Sequence, residues 1–581
     1  MHTISKNAQI VLALLKAHNI KHIIINPGTT NMPIVCGIQN DPFFTCYSVV
    51  DERSAMYFAI GLHLQTGERI VTCCTSAQAT RNYIPGLTEA FYKHTPILAI
   101  TTSKLPCQIG QEYMQGPNQT SLPIDSVKQT FACPYVATKN DKIHCARLVN
   151  EAILELTHRT PGPVQLNLPM DDAEMGVFTE PKLPKVKVIN RYMHWDEWDI
   201  SLKNKKIMLV VGEHRPFTEK QKTAIEAFCE SHNVFVYTNH LSNYHGKYSL
   251  NANLAVSTGI SFDWKPDVLL TIGGQTGDYP IFGKLASGDW NIFEHWRIAA
   301  DGNIVDTYNK LTKVFECPEE LFFERLATNE KSEHIYYEQW RQLQTAKKIP
   351  ENLPFSNAYL AQQLHNDIPK GSDLNFAILN SLRNWSFFPL DKSIICYSNV
   401  AAFGIDGCTS VLIGQSVATD KLCFLVTGDL AFFYDMNALG IRHIKNNVRI
   451  LLVNNACGTE FKLYSHPNYQ FGKDGDAYVA AAGHNGSAKG WAEDAGFKYL
   501  KASNKEEFLL HKQEFLNESE KPIIFEVFTN HEEESDALKM IMKVNKPQVS
   551  GNEILLNKAK SVIKQILPQN TVDAIKILKG N

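Results

Sequence analysis

The sequence predicts an α/β protein built from three doubly wound parallel sheets. Short apolar segments that end at turns, such as KHIIINPG, RIVTCCTS, KLCFLVTGD and VRILLVNN, alternate with amphipathic helical patterns. Strands that alternate with helices favour parallel sheets covered on both faces. Two connectors rich in proline and lysine, EPKLPKVKVINRY and AKKIPENLPFS, separate three such stretches. We therefore expect α/β domains at residues 1–185, 195–345 and 356–545, followed by a helical tail at 546–581.

Composition and charge exclude several classes of protein. Hydrophobic residues make up 44% of the chain and charged residues 20%, as in ordinary globular proteins. The formal net charge of −3 gives no electrostatic reason to expect nucleic acid or an anionic membrane as a partner. No apolar run approaches the roughly 20 residues of a membrane span, and no signal peptide is expected. The thirteen cysteines form no CxxC pair, which indicates free thiols, no zinc site and a reducing, cytoplasmic setting.

Two strand ends in the third predicted domain carry the strongest chemical signal. One strand ends at Gly428 and Asp429, and the next ends at Asn454 and Asn455. In a parallel sheet both ends lie at the same edge, where ligands bind. A carboxylate and an amide oxygen suit Mg²⁺, and a glycine lets the backbone approach a diphosphate closely. Asp and Asn are also common in plain turns, but both pairs at this spacing favour a metal–diphosphate site.

This pattern resembles the diphosphate-binding motif of thiamine diphosphate enzymes. The resemblance implies thiamine diphosphate and Mg²⁺ as cofactors, with Asp429, Asn455 and the backbone carbonyl of Cys457 as metal ligands. Leu430 stands at the third motif position, where a glycine is usual. The other cofactor contacts that the resemblance implies are Ser76, Asn380, Ser381, Ile405 and Gly428.

Glu52 is the candidate for activating the cofactor. It follows the apolar segment CYSVV at the start of a helical pattern, a position where helix N-termini favour acidic residues in any case. The resemblance implies that Glu52 hydrogen-bonds the pyrimidine ring of the cofactor. It also implies that residues 1–185 form the pyrimidine-binding domain and residues 356–545 the diphosphate- and Mg²⁺-binding domain. In this family the two domains meet across a subunit interface, so a homodimer or homotetramer is expected.

Within the thiamine diphosphate enzymes, the chain most resembles the 2-succinyl-5-enolpyruvyl-6-hydroxy-3-cyclohexene-1-carboxylate synthases of the menaquinone pathway. The resemblance extends to about residue 535. Matching segments include DER from Asp51, NYIPGLTEA, NSL from Asn380, GIDG from Gly404 and GDLAFFYDMNAL from Gly428. The last segment is specific to this group and accounts for Leu430.

The substrate positions depart from that family. Arginine is expected at five places where this chain carries Thr30, Lys104, Pro280, Trp385 and Val400. A buried carboxylate that loses its partner forfeits roughly 2–5 kcal/mol of binding. We therefore expect a less charged 2-oxo acid donor, such as pyruvate, and an acceptor other than isochorismate. The expected substrate contacts are Thr30, Lys104, Gln119, Trp385, Val400 and Phe461.

Glu460 is a second candidate catalytic residue. It stands in NNACGTEF, where the synthases carry an apolar residue near the thiazolium ring. A carboxylate there can act as a general acid or base. A solvated loop glutamate explains the residue equally well, so both possibilities stay open.

These observations predict a thiamine diphosphate- and Mg²⁺-dependent enzyme that decarboxylates a small 2-oxo acid and transfers the remainder to an unknown acceptor. Three alternatives stay open. They are the menaquinone-pathway synthase itself, using 2-oxoglutarate and isochorismate through relocated basic residues, a simple 2-oxo-acid decarboxylase, and a non-catalytic scaffold. In the middle domain, GGQTGDYP is only weak evidence for a nucleotide, so a structural role is expected there.

Overall fold

The computed structural model describes residues 1–260, 264–288, 290, 292 and 294–546. The predicted helical tail lies outside the described residues, apart from Lys546. The strands form three sheets and alternate with helices along the chain. Every strand pairing described is parallel. The predicted fold class is therefore confirmed.

Contacts between residues divide the chain into two compact units. Among the described residues, one unit contains Met1–Met193 and Gly302–Val314, and the other contains those between His194 and Asp301 and those from Phe315 to Lys546. The boundaries of the three predicted domains stay predictions.

The first sheet has six strands in the order β2-β1-β3-β4-β6-β5. Its strands are β1 (His22–Ile25), β2 (Thr45–Ser48), β3 (Ile70–Cys74), β4 (Ile97–Ser103), β5 (Thr130–Ala132) and β6 (Val164–Pro169). The helices of this region are α1 (Lys6–Ala17), α2 (Met32–Ile38), α3 (Glu52–Thr66), α4 (Gln78–Asn82), α5 (Ile84–Tyr92) and α6 (Lys139–Glu155). Every residue of β3, β4 and β6 is buried, as expected for strands covered on both faces.

The second sheet has seven strands in the order β10-β9-β8-β11-β12-β13-β7. Its strands are β7 (Asn190–Met193), β8 (Ile207–Val211), β9 (Val234–Thr238), β10 (Ser249–Asn251), β11 (Val268–Ile272), β12 (Glu294–Ile298) and β13 (Leu311–Glu316). The helices are α7 (Glu219–Ser231), α8 (Asn253–Ser257), α9 (Tyr279–Ala286), α10 (Glu319–Leu326) and α11 (Ile335–Thr345).

The third sheet has six strands in the order β15-β14-β16-β17-β19-β18, the same permutation as the first sheet. Its strands are β14 (Asp373–Phe376), β15 (Ile395–Ser398), β16 (Cys423–Gly428), β17 (Val448–Asn454), β18 (Lys498–Ala502) and β19 (Ile523–Phe528). The helices are α12 (Asn357–Leu364), α13 (Asn380–Trp385), α14 (Cys408–Ser416), α15 (Asp429–Tyr434), α16 (Lys489–Asp494), α17 (Lys505–Leu516) and α18 (His531–Val544).

Apolar clusters cover both faces of the first and third sheets. Local sequence signals explain where individual helices begin and end. Asp51 caps α3 by accepting a hydrogen bond from the Ser54 N–H at 2.8 Å, and Gly67 ends the same helix in the left-handed region. Thr138 and Asp141 form a capping box at the start of α6.

Two general features of the described residues bear on function. No helix there combines the length and the apolar character that a bilayer crossing needs. All thirteen cysteines, which lie in this part of the chain, carry free thiols.

Candidate active site

The carboxyl edge of the first sheet gathers three of the predicted contacts. Thr30, after β1, and Ser76, after β3, are buried with their hydroxyl oxygens 3.0 Å apart. Gln119 Oε1 accepts a hydrogen bond from the Ala77 N–H at 2.7 Å, and its amide nitrogen donates to the Thr80 hydroxyl at 2.7 Å. These side chains therefore form one connected polar cluster at the strand ends.

Ala77, in the middle of this cluster, has an unusual backbone. Its φ and ψ are 67° and −121°, a conformation that residues with a side chain rarely adopt. Such strain is stored preferentially where the surrounding structure enforces it, often at functional sites. The bond to Gln119 is one of the contacts that hold it.

Glu52 is the first residue of α3 and is half-buried. Its Oε2 atom accepts a hydrogen bond from the Asn82 side-chain amide at 3.0 Å. Because Asn82 belongs to α4, two helices at the carboxyl edge fix the direction of this carboxylate. The prediction that Glu52 contacts the cofactor stays a prediction.

Lys104 keeps a positive charge at one of the places where arginine was expected, but that charge is already paired. The side chain is buried after β4, and its Nζ lies 2.6 Å from Asp172 Oδ1. The hydrogen bond from Lys104 lowers the pKa of Asp172, and Tyr113 donates a second hydrogen bond to the same carboxylate. A substrate anion would have to compete with Asp172 for this ammonium group.

In the third sheet, Asp429 lies directly beside the Asn454–Asn455 turn. β16 and β17 are neighbouring strands, and Gly428 pairs with Val453 at their ends. Asp429 is buried; its Oδ1 accepts the Leu430 N–H at 2.8 Å, and its Oδ2 is 3.0 Å from His484 Nε2. Burial raises the pKa of Asp429, although hydrogen bonds from Leu430, His484 and Ala456 oppose that shift. The two strand ends therefore meet as the sequence predicted.

The two asparagines of the turn have different surroundings. Asn454 is buried, and its amide donates to Glu526 Oε1 at 2.8 Å and to the Gly486 carbonyl at 2.9 Å. Asn455 is partly exposed, and its Oδ1 lies 3.7 Å from the Cys457 thiol. Asn454 thus anchors the turn, while Asn455 keeps an amide oxygen at the surface of the site.

These residues fit a divalent cation and a diphosphate by their chemistry. Asp429, Asn455 and the Cys457 carbonyl are all oxygen donors, the kind that Mg²⁺ prefers. A Cβ added to Gly428 would meet nothing within 4 Å, so there is open space at the end of β16. Among the described residues, no group of three or more His, Cys, Asp or Glu side chains is arranged so that it could hold a metal ion. The expected metal ligands stay a prediction.

α13 begins with the predicted phosphate contacts Asn380 and Ser381. Leu379, immediately before them, has φ and ψ of 65° and −118°, close to the values of Ala77. Both strained residues directly precede a short helix at the carboxyl edge of a sheet. Ser381 is buried, whereas Asn380 is partly exposed.

Glu460 is not a solvated loop glutamate. Arg383 of α13 donates from Nη1 to Glu460 Oε2 at 2.6 Å and from Nη2 to Oε1 at 2.9 Å. Each side chain is only 18% exposed. Both carboxylate oxygens are therefore engaged by one guanidinium, which differs from an arrangement in which a free oxygen faces a substrate. The acid–base role of Glu460 stays a prediction.

Two expected substrate contacts lie in the core instead. Trp385 is fully buried, with its ring 5.7 Å from that of Phe376, and Val400 is also fully buried. Both side chains belong to one apolar cluster. Their burial does not support direct substrate contact. The remaining expected contacts, Ile405 and Phe461, are partly buried.

The sequence assigned no role to three residues that contact predicted site residues. Asn82 orients Glu52, His484 contacts Asp429, and Arg383 pairs with Glu460. His484 Nδ1 accepts the Gly486 N–H at 3.1 Å, so its Nε2 carries the hydrogen donated to Asp429. Asn82 begins the matching segment NYIPGLTEA, but that segment gives no indication of the contact with Glu52 on another helix. Each of the three contacts joins residues that are far apart in the sequence, so the partners meet only in the folded chain.

Comparison with known proteins identifies the family to which the chain is similar. Residues 5–122 match the family described as thiamine pyrophosphate enzyme, N-terminal TPP binding domain. The parallel α/β fold and this match define the class: the chain is an enzyme that uses thiamine diphosphate.

The full length of the chain narrows the class further. It is 33% identical over 567 residues to the 2-succinyl-5-enolpyruvyl-6-hydroxy-3-cyclohexene-1-carboxylate synthase of Bacteroides thetaiotaomicron, an alignment covering 93% of this chain and 98% of the relative. It is 35% identical over 556 residues to that of Phocaeicola vulgatus, with the same coverage. The synthase of Flavobacterium psychrophilum is 29% identical over 550 residues, covering 90% of this chain and 96% of the relative. The chain belongs to this synthase family, which confirms the resemblance inferred from its motifs.

Proposed function

We propose that the chain is a Mg²⁺-dependent carboligase that decarboxylates a 2-oxo acid and joins the remainder to a second small molecule. The observation that carries the proposal is the buried Asp429 beside the Asn454–Asn455 turn. The name shared by the relatives favours the synthase reaction itself over the expectation of changed substrates. 2-Oxoglutarate and isochorismate are therefore the first donor and acceptor to test.

The residues described above have separate roles in the proposed reaction. Thiamine diphosphate supplies the electron sink that makes loss of CO₂ from a 2-oxo acid possible. Asp429, Asn455 and the Cys457 carbonyl would hold the cation, and His484 fixes the orientation of Asp429. Glu52, which the Asn82 side-chain amide orients, would form a hydrogen bond to the pyrimidine ring of the cofactor.

We further propose a homodimer or homotetramer in a cytoplasmic setting. The face of α3 that begins near Glu52 exposes Tyr57, Phe58 and Leu64, with exposed fractions of 48%, 44% and 66%. Exposed apolar side chains grouped in this way are typical of a protein interface. The free thiols agree with a reducing compartment.

A second candidate function is the same reaction with a less charged donor, such as pyruvate. The pairing of Lys104 with Asp172 and of Arg383 with Glu460 favours it, because both cations already have an internal carboxylate. Thr30 and Val400 contribute no charge at positions where the family has arginine.

The decisive experiment measures CO₂ release from pyruvate and from 2-oxoglutarate, each with and without isochorismate. Isochorismate-dependent turnover of 2-oxoglutarate would establish the synthase reaction, and turnover of pyruvate would establish the second candidate. Release of free aldehyde without any acceptor would indicate a simple decarboxylase. Glu52→Gln should lower turnover at least 100-fold, whereas Glu89→Gln, an exposed α5 glutamate paired with Lys93, should not change it.

Cofactor binding is tested separately by calorimetric titration with thiamine diphosphate and Mg²⁺. Asp429→Asn should weaken the Mg²⁺-dependent binding at least tenfold, because a neutral amide replaces the charged ligand. Asp420→Asn, at a fully exposed aspartate, is the matched control. If the wild-type protein bound no cofactor at all, the scaffold alternative would replace the enzyme.

A further inference from the structure

The Arg383–Glu460 pair has the geometry that proteins use to recognise a substrate carboxylate. Two parallel N–H···O bonds of 2.6 and 2.9 Å join the guanidinium to the carboxylate. Asn380 Oδ1 accepts a further hydrogen bond from Arg383 Nη1 at 3.1 Å, which fixes the plane of the fork. Arginine is suited to such bidentate recognition because its donors are rigid and always charged.

The pair lies at the same edge of the third sheet as Asp429. Arg383 belongs to α13, which follows β14, and Glu460 follows β17. β14 and β17 flank β16, whose end carries Asp429. An arginine fork at this edge is therefore within the part of the fold where we propose that the reaction takes place.

The surroundings of Arg383 leave little room for a second anion. A cavity of about 10 Å³ lies beside it, lined by Asn239, Asn253, Asp278, Leu382 and Ser386. That volume holds a single water molecule. Asp278 is itself buried, and it accepts hydrogen bonds from Tyr237 and Asn253. Because Arg383 Nη1 and Nη2 both bond Glu460, a substrate carboxylate that forms the same bidentate pair must replace Glu460.

We propose that Glu460 is a specificity-determining residue that acts as an internal competitor for the Arg383 fork. This inference rests on the proposed function. The ligands that the site disfavours are donors or acceptors that carry a second carboxylate, in addition to the one at the reacting centre. In the synthase reaction, Glu460 raises the concentration of 2-oxoglutarate that the enzyme needs. In the second candidate reaction, it excludes dicarboxylates in favour of pyruvate.

Tethering makes this competition effective. Glu460 is part of the chain, so its effective concentration at the fork is in the millimolar range or above, and a free carboxylate must exceed it. The exchange replaces one charge-assisted pair with another and gains little energy by itself. Removing the Glu460 charge should therefore tighten binding of a dicarboxylate at least tenfold.

The test compares two unreactive probes, glutarate and butyrate, by calorimetry on protein loaded with thiamine diphosphate and Mg²⁺. We expect Glu460→Gln to lower the dissociation constant for glutarate at least tenfold and to change that for butyrate less than twofold. The double variant Glu460→Gln/Arg383→Gln restores the net charge of the pair and should lose the gain. Asp476→Asn, which removes a carboxylate paired with Lys462 nearby in the chain, should bind glutarate as the wild type does.

Several outcomes separate this inference from the proposed function. An unchanged glutarate affinity in Glu460→Gln, or a gain that persists in the double variant, would overturn the role of Glu460 even if the cofactor binds normally. If no cofactor binds, the glutarate comparison is made on the protein without cofactor. That result would overturn the proposed function and would leave the role of Glu460 to be decided by the glutarate affinities. If thermal unfolding shows that Glu460→Gln is not folded, Glu460→Ala takes its place in the same comparison.

Discussion

Ala77 shows how a single residue stores strain at the candidate site. Its backbone conformation suits glycine, yet the chain carries a side chain there, between Ser76 and the first turn of α4. The Gln119 carboxamide, which also bonds the Thr80 hydroxyl and the Thr102 carbonyl, holds the peptide in place. Buried hydrogen bonds thus hold Ala77 in its strained conformation.

Replacing Ala77 by glycine should stabilise the protein. Relief of the strained φ is worth roughly 1–3 kcal/mol, and the added freedom of glycine in the unfolded chain removes about 0.5–1 kcal/mol, so we expect a net gain of about 1 kcal/mol. Thermal unfolding measures the difference. Ala90→Gly, in the regular interior of α5, should destabilise by about 1 kcal/mol, and an equal loss at both positions would contradict the strain at Ala77.

At the scale of single residues, the sequence predicted the candidate site residues that come directly after a strand. Asp429 and Asn455 close apolar strands, so their meeting could be inferred without a structure. Arg383 and Glu460 are separated in the sequence by three strands, β15, β16 and β17, and no periodicity connects them. Trp385 was expected at the substrate because of its alignment with an arginine, but its helix directs it into the core.

At the scale of elements, α18 contains a buried titratable group. Glu534 accepts hydrogen bonds from the Asn357 N–H at 2.9 and 3.1 Å and from the Thr529 hydroxyl at 2.9 Å. Burial raises the pKa of Glu534 to about 7, although the hydrogen bonds from Asn357 and Thr529 oppose that shift. The helix is therefore attached to the start of α12 and the end of β19 through a carboxyl group that changes charge near neutral pH.

This carboxyl should make stability depend on pH. At pH values between the ordinary glutamate pKa of about 4.5 and the folded pKa of about 7, the folded protein binds more protons than the unfolded chain. Stability contributed by the protonated group is then lost as pH rises through that window, by roughly 3 kcal/mol in total. Glu534→Gln should reduce the fall in melting temperature between pH 5 and pH 8.

Glu532→Gln, on the exposed side of the same first turn, is the control for that measurement. Its melting temperature should follow that of the wild type at both pH values. A Glu534→Gln variant with an unaltered pH dependence would show that other groups determine the response.

At the scale of the whole molecule, the exposed face of α3 predicts self-association. Phe58→Asp places a charge on the same helix as the exposed side chains of Tyr57 and Leu64. We expect the wild type to sediment as a dimer or tetramer and the variant as a smaller species with weaker cofactor binding. Ile124→Asp, at a loop residue that is 96% exposed, should leave the assembly unchanged. A wild type that sediments as a monomer would contradict the proposed interface.

The fold class was predictable because each buried strand is a short apolar run bounded by turns. β3, β4 and β17 are examples: every residue is buried, and most of the residues in each strand are apolar. The order of strands within each sheet was not predictable in the same way. β19 inserts between β17 and β18, and this choice depends on pairings between distant segments that no local pattern records.

That insertion has a consequence for the nascent chain. β18 leaves the ribosome before β19, yet β19 is the strand that connects it to β17. Until Phe528 has been synthesised, the outer edge of β17 remains open and β18 has no place in the sheet. Translation that pauses within this interval would present an unpaired apolar strand edge, the surface on which newly made proteins aggregate and which chaperones protect.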